Sequence, residues 1–257
     1  MRAALALARR GLGRVWPNPA VGCILARGSA VIARGWTQAG GRPHAEAEAL
    51  ARAGALAEGA TVFVTLEPCA HHGETPPCAR ALADAGVVRA VIACRDPDPR
   101  VEGKGIHILE AAGIEVVEGV AEEEARELNG GYFSCVEHGR PLVTLKVASS
   151  LDGRIATSRG ESHWVTGEAA RARAHALRAS HDAIAVGSGT MLADDPELTC
   201  RLPGLGARSP VRIVFDGRLR TPLTGRFVDT ARQHPAWMIT LPGGDAVRLE
   251  AAREVGV

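Results

Sequence analysis

The spacing of apolar and polar positions along the first half of the chain predicts a series of strands with helices between them. Residues 2–12 place Leu5 and Leu12 on one face and arginines on the other, which is typical of an amphipathic helix. Predicted strands follow at 21–26, 30–35, 61–66, 87–94 and 114–117. Predicted helices lie at 45–57, 79–85, 106–112 and 121–136. Strands separated by helices indicate an α/β sandwich with a largely parallel sheet.

The pattern starts again after the segment His138-Gly139-Arg140-Pro141. We interpret this segment as a boundary between a domain over residues 1–140 and a second domain over residues 141–257. In the second domain, strands are predicted at 142–148, 182–186 and 211–215, and a helix from Glu168 to about Ala179.

Composition and charge limit the classes to which the protein can belong. With 30 basic and 29 acidic side chains among 257 residues, the net charge of +1 gives no strong attraction to nucleic acid or to a membrane surface. Six cysteines in a chain of this length do not indicate a secreted disulfide framework. The apolar N-terminal run ends at Arg9 and Arg10, too early for a signal peptide, and no stretch is long enough to cross a bilayer. These features predict a cytoplasmic protein.

The stretch from His44 to Cys78 carries the most distinctive chemistry. His44, Cys69 and Cys78 form a mixed nitrogen and sulfur ligand set that suits zinc, and three protein ligands rather than four are typical of a catalytic site. Glu46 lies two residues after the histidine, where a carboxylate can move protons. This order is the known signature of zinc nucleobase deaminases, although eight residues rather than two separate the cysteines. A purely structural zinc site and two buried thiols are the alternatives.

Two weaker signals remain open. Gly187-Ser188-Gly189 follows a predicted strand and is compatible with a pyrophosphate-binding loop or with an ordinary turn. His71 and His72 either line a pocket or belong to a solvated loop, and we favour the pocket for His71.

Taken together, the motifs resemble the bifunctional riboflavin biosynthesis deaminase–reductase family. In the first half, the matching segments are Pro17-Asn18-Pro19-x-Val21-Gly22-Cys23, His44-Ala45-Glu46, and Glu67-Pro68-Cys69 through Pro76-Pro77-Cys78. In the second half, they are Ala148 to Arg154, Gly160-Glu161-Ser162-x-Trp164, and Thr190 to Thr199. The resemblance implies a cytidine-deaminase-like three-layer α/β/α sandwich followed by an incomplete dihydrofolate-reductase-like α/β domain.

The resemblance also implies two activities and their residues. The first domain would hydrolyse one amine of a diaminopyrimidinone that carries a phosphoribosylamino arm, and the second would reduce the ribosyl arm with NADPH. Zinc would be held by His44, Cys69 and Cys78, with Glu46 moving protons and Asn18 and His71 contacting the substrate. In the second domain, the implied cofactor positions are Ala148, Trp164, Thr190, Asp194 and Gly217. The implied substrate positions there are Ser162, Arg178, Leu198 and Arg201, and guanidinium groups are suitable partners for a phosphate.

Two departures from the family pattern change these expectations. Glu74 stands in the zinc loop where the family usually has Lys or Arg, and a carboxylate there would repel the substrate phosphate. If that position faces the substrate phosphate, Glu74→Lys should lower KM. An unchanged KM would mean that the phosphate is held elsewhere, with Arg95, Arg100 or Lys104 as candidates. The glycine-rich stretch that completes the family's nucleotide site would lie beyond Val257, so we also expect reduction to be impaired.

Two alternatives accompany this interpretation. A cytidine or tRNA adenosine deaminase is disfavoured by the long cysteine spacing and by the second domain. A truncated, non-catalytic paralogue that binds a ligand or a partner protein is the alternative from a different class. An unfinished sheet would also leave exposed edges, which makes a homo-oligomer one possible assembly.

Overall fold

In the computed structural model, which describes residues 1–71, 76–162 and 164–257, the chain divides into two units, Met1–Thr144 and Leu145–Val257. His72 and Glu74 lie outside the described residues. Within the described ranges, no helix is both long and apolar enough to span a bilayer.

A five-stranded sheet forms the centre of the first unit. Its strands are β1 (Gly22–Arg27), β2 (Ala30–Trp36), β3 (Thr61–Val64), β4 (Arg89–Ile92) and β5 (Glu115–Val117), in the order β2-β1-β3-β4-β5. The five predicted strands are confirmed. The sheet is mixed rather than largely parallel, since β1 pairs antiparallel with both β2 and β3. Only Gly28 and Ser29 connect β1 to β2, and a connection that short permits a hairpin but no parallel crossover.

Helices cover both faces of this sheet. They are α1 (Arg2–Ala8), α2 (Ala45–Ala53), α3 (Cys78–Asp84), α4 (Lys104–Ala111), α5 (Glu122–Leu128) and α6 (Gly130–His138). Side chains alternate between the faces of a strand, so Cys23 and Leu25 pack into the larger core while Ile24 packs against α1 on the other side. The three-layer arrangement is confirmed.

The predicted helix over 121–136 is two helices, which meet at Asn129. The Asn129 side chain is buried and bonds to the backbone of Ala20: its Oδ1 accepts from the N–H at 2.8 Å and its Nδ2 donates to the carbonyl at 3.0 Å. This contact connects the end of α5 to the segment that precedes β1.

The second unit contains a parallel three-stranded sheet in the order β6-β7-β8, formed by β6 (Ala183–Gly187), β7 (Val211–Phe215) and β8 (Ala236–Ile239). Its helices are α7 (Glu168–Ser180), α8 (Ser188–Asp194), α9 (Arg226–Asp229) and α10 (Ala246–Glu254). Val214 in β7 and Phe227 in α9 lie at the centre of its apolar core. Gly187 ends β6 and precedes α8 directly, so Gly187-Ser188-Gly189 is a strand-to-helix junction.

The prediction of a strand over 142–148 is wrong. The segment forms no ladder with any described strand, and Val143, Leu145 and Val147 are exposed. Alternating apolar residues suit a strand, but a strand also requires a neighbour to which its backbone can bond. The local sequence pattern does not show whether such a neighbouring strand exists.

Candidate active site

The three candidate zinc ligands meet at the carboxyl ends of β3 and β4, the edge at which α/β sheets commonly bind ligands. His44 is the N-cap residue of α2, Cys69 follows β3, and Cys78 is the first residue of α3. The chain therefore brings together two helix N-termini and one strand end, although 34 positions separate His44 from Cys78.

The distances between these ligand atoms fit a single zinc ion. His44 Nδ1 lies 3.8 Å from Cys69 Sγ and 3.5 Å from Cys78 Sγ, and all three ligand atoms lie within 4.8 Å of one another. Tetrahedral zinc with the usual bond lengths to nitrogen and sulfur separates its ligand atoms by roughly 3.5–3.8 Å. The three residues could therefore serve as three of the four ligands of a zinc ion, and His44 and Cys69 also line the cavity described below.

The charges of the ligands also suit a cation. A hydrogen bond from Cys78 lowers the pKa of the Cys69 thiol, and the same interaction together with burial raises the pKa of Cys78. The Cys69 thiolate also accepts the backbone N–H of Cys78 at 3.3 Å. The hydrogen bond to Cys69 raises the pKa of His44. The protonation of these closely packed groups is therefore interdependent, as expected where a metal can balance the negative charge of thiolates.

Glu46 lies in the first turn of α2 and is 4% exposed. Burial, and then the charge of Cys69, raise its pKa to about 7. A glycine in the neighbouring strand allows α2 to come this close, because a Cβ on Gly35 would lie 2.1 Å from the carbonyl oxygen of Ala45. Glu46 is not one of the three clustered ligand atoms, so its carboxylate is available for proton transfer.

A cavity of about 160 Å³ lies beside Glu46 and the ligands. Asn18 and His71, both predicted from the sequence, line it. Gly41 makes room for Asn18, since a Cβ there would lie 2.0 Å from Asn18 Nδ2. The Nδ1 atom of His71 is buried and has no hydrogen-bond partner among the described residues, which leaves it available to a ligand.

The sequence analysis missed most of the opposite wall of this cavity. Asp96, Asp98 and Tyr132 line it, and the Tyr132 hydroxyl donates to Asp96 Oδ1 at 2.9 Å. Burial raises the pKa of Asp96, whereas hydrogen bonds from Arg100 lower the pKa of Asp98. Asp96 follows β4 much as Cys69 follows β3, and that parallel was the signal that could have revealed it. Tyr132 carries no such signal.

Seven of the nine cofactor and substrate residues predicted in the second unit line one cavity of about 740 Å³. They are Ala148, Ser162, Trp164, Arg178, Asp194, Leu198 and Arg201. Thr190, within α8, and Gly217, just after β7, do not line it.

Positive charge dominates this second cavity, with five Lys and Arg side chains against three carboxylates. Burial, and then the charge of Arg201, lowers the pKa of Arg178. His175, which the sequence analysis missed, accepts the backbone N–H of Arg201 at 3.1 Å on Nδ1. Two guanidinium groups that repel each other beside a cavity indicate a phosphorylated ligand.

Comparisons with known proteins find a family match for each unit. Residues 1–94 match the cytidine and deoxycytidylate deaminase zinc-binding region, and residues 141–250 match the RibD C-terminal domain. The chain is 45% identical over 257 residues to the riboflavin biosynthesis protein RibD of Bacillus amyloliquefaciens, spanning 100% of this chain and 69% of that protein.

Two solved structures are similar over nearly the whole chain. Acinetobacter baumannii RibD is 43% identical, with a TM-score of 0.88, over 100% of this chain and 71% of that one. The second, from Thermotoga maritima, is a diaminohydroxyphosphoribosylaminopyrimidine deaminase/5-amino-6-(5-phosphoribosylamino)uracil reductase. It is 42% identical, with a TM-score of 0.86, over 93% of this chain and 68% of that one.

Proposed function

This chain belongs to the RibD family of riboflavin biosynthesis proteins, and we propose that its first unit hydrolyses an exocyclic amine of a phosphorylated diaminopyrimidinone. It is a zinc-dependent deaminase joined to an NADPH-dependent reductase domain. The observation that carries the proposal is the triangle of His44, Cys69 and Cys78 with the buried Glu46 beside it.

In this proposal, His44 Nδ1 and the two thiolates would hold zinc, which when bound would lower the pKa of a water molecule. Glu46 then accepts a proton as the water oxygen bonds to the amine-bearing ring carbon. The same carboxyl returns that proton to the amine nitrogen, the carbon–nitrogen bond breaks, and ammonia leaves. The second water proton ends on the adjacent ring nitrogen and the ring carbon becomes a carbonyl, so protons and electrons balance without a further reactant.

The cavity wall selects and orients the ring. Asn18 offers an amide that can both donate to and accept from the polar edge of a pyrimidine, and Asp96 offers a carboxyl that is already bonded to Tyr132. A cavity of about 160 Å³ is smaller than the 300–1,000 Å³ of pockets that enclose a drug-sized ligand. The site therefore encloses the ring and leaves the phosphoribosyl arm at its mouth.

For the second unit, we propose reduction of the ribosyl arm to ribityl. NADPH, when bound, supplies the hydride. Arg178 and Arg201 bind the substrate phosphate, with Ser162 and Leu198 as further substrate contacts. Ala148, Trp164 and Asp194 bind the cofactor in the same cavity. Thr190 and Gly217 are also proposed cofactor contacts, although neither lines this cavity. The excess of cationic side chains supports this proposal, because both ligands carry phosphate.

We further propose a small-molecule substrate rather than nucleic acid, which the net charge of +1 supports. A cytoplasmic location is supported by the two cysteines proposed as ligands, which must stay reduced to bind zinc.

The test is to follow ammonia release from the phosphorylated diaminopyrimidinone, with zinc content measured in parallel. Wild-type protein should release ammonia. Glu46→Gln should keep its zinc and lose at least about 100-fold in kcat, because the amide cannot accept the proton. Glu48→Gln, two residues further along α2, is the matched control and should retain activity. If Glu46→Gln also lost its zinc, Glu46 would be a ligand rather than a proton carrier.

A further inference from the structure

Arg100 lies at the mouth of the deaminase cavity in a fixed orientation. Its guanidinium donates to both carboxylate oxygens of Asp98, with Nε 3.0 Å from each, while Asp98 itself is buried. The Asp98 side chain is 12% exposed and that of Arg100 is 70% exposed. A buried carboxylate thus holds an exposed guanidinium at the rim, and the remaining N–H groups of Arg100 are available to an anion.

The cavity has two Lys or Arg side chains among its described lining residues, Arg42 and Arg100, which come from different segments of the chain. Arg42 stands two residues before the proposed zinc ligand His44. Arg100 instead donates to Asp98, which is bonded to Asp96 beside Tyr132. A substrate whose amine reacts beside Glu46 extends its phosphate away from the zinc ligands, toward Arg100.

We propose that Arg100, oriented by Asp98, binds the 5′-phosphate of the deaminase substrate. This inference rests on the proposed deaminase function and adds the residue that recognises the phosphorylated arm. The size of the cavity supports it, because the ring fills the enclosed part and the phosphate reaches the exposed rim. Bidentate contact with phosphate is the geometry that guanidinium favours.

Neighbouring cations in the same segment are less suited to this role. Arg95 forms an ion pair with Glu118 and does not line the cavity. Lys104 donates its Nζ protons to the carbonyl oxygens of Pro99 and Arg100 and does not line the cavity either. Arg95 therefore provides a control of the same residue type from the same connecting segment.

The experiment compares the phosphorylated substrate with its dephosphorylated ribosyl counterpart in wild-type protein, Arg100→Ala, Arg100→Lys, Arg95→Ala and Arg42→Ala. Arg100→Ala should raise KM for the phosphorylated substrate by about 10- to 100-fold, the range of a lost charged hydrogen bond, and leave the dephosphorylated substrate unchanged. Arg100→Lys should raise KM for the phosphorylated substrate less than Arg100→Ala does, because lysine keeps the positive charge but cannot make the bidentate contact. Arg95→Ala should leave both substrates unchanged.

The outcomes separate this inference from the function on which it rests. If wild-type protein released ammonia from neither substrate, the proposed deaminase function would be wrong. If wild-type protein acted on the phosphorylated substrate but Arg100→Ala slowed both substrates equally, or neither, the assignment of Arg100 would be wrong. If only Arg42→Ala lost the preference for the phosphorylated substrate, the phosphate would bind near Arg42, and the assignment of Arg100 would again be wrong.

Discussion

The carboxylate of Glu67 accepts a hydrogen bond from the backbone N–H of Gly105 at 2.9 Å, across 38 positions of sequence. The same carboxylate accepts three more backbone N–H groups, from Asp96 at 3.3 Å, Gly103 at 3.0 Å and Ile106 at 3.3 Å. Glu67 is buried and stands two residues before the ligand Cys69. It thereby fixes the segment that follows β3 to the segment that carries Asp96, Asp98 and Arg100.

Glu67→Gln tests whether this connection positions the substrate wall. The amide nitrogen of glutamine would face backbone N–H groups that need an acceptor, so about two hydrogen bonds should be lost. We expect KM for the deaminase substrate to rise about 10-fold, with zinc retained and kcat changed less. Glu102→Gln, an exposed position in the same connection, is the control. Loss of zinc with an unchanged KM would show that Glu67 supports only the ligand Cys69.

Gly105 is the position at which these two segments touch. A Cβ there would lie 2.0 Å from the carbonyl oxygen of Pro68, so Gly105→Ala must push the two segments apart. We expect a loss of about 1–3 kcal/mol in the free energy of unfolding, as for other overpacked sites. Gly131 lies in α6 with open space around it, and Gly131→Ala should instead stabilise by about 0.5–1 kcal/mol. Thermal unfolding of both variants, compared with wild type, measures the contrast, and equal midpoints would contradict it.

The zinc ligands were predictable because their chemistry is unusual and their spacing falls within one stretch of the chain. His44 and Cys78 also stand at helix starts that the sequence marks with Pro43 and Pro77. The opposite wall was not predictable in this way. Tyr132 reaches Asp96 across 36 positions, and a tyrosine in a helix gives no local sign of a polar partner so distant.

The strand predicted over 142–148 failed for a related reason. Helices and hairpins depend mainly on nearby residues, and both strands of the β1–β2 hairpin were predicted correctly. A strand that pairs with a distant segment depends on contacts that the local pattern does not encode. Asn129, where the two helices meet, is a further example, since its side chain bonds to the backbone of Ala20 at a separation of 109 positions.

Metal binding should distinguish two cysteines that composition alone cannot separate. Cys78 is buried among the proposed ligands, whereas Cys135 is exposed on α6. Cys78→Ala should lose both stoichiometric zinc and ammonia release, because the two remaining ligands bind zinc too weakly to retain it during dialysis. Cys135→Ala should keep both. Metal analysis after dialysis, with and without a chelator, measures the difference, and full zinc content in Cys78→Ala would contradict the ligand assignment.

The pair formed by Asp98 and Arg100 should make a pH-dependent contribution to stability. Hydrogen bonds from Arg100 lower the pKa of Asp98 in the folded protein, and the charge of His71 lowers it further. A carboxyl whose folded pKa lies below its unfolded value, about 3.9, stabilises the protein above that value and loses its effect as the pH falls through the folded pKa. Asp98→Asn should therefore destabilise at pH values of about 5–7 and approach wild type in acid.

The measurement is the difference in unfolding midpoint between Asp98→Asn and wild type from about pH 7 down to about pH 3, a range that spans the titration of an aspartate. Protonation of the zinc ligands in acid weakens both proteins alike, so the difference isolates residue 98. Asp84→Asn, at an exposed position of α3, supplies the control and should match wild type at every pH. A difference for Asp98→Asn that stayed constant, or grew in acid, would show that Arg100 does not stabilise the ionised form of Asp98.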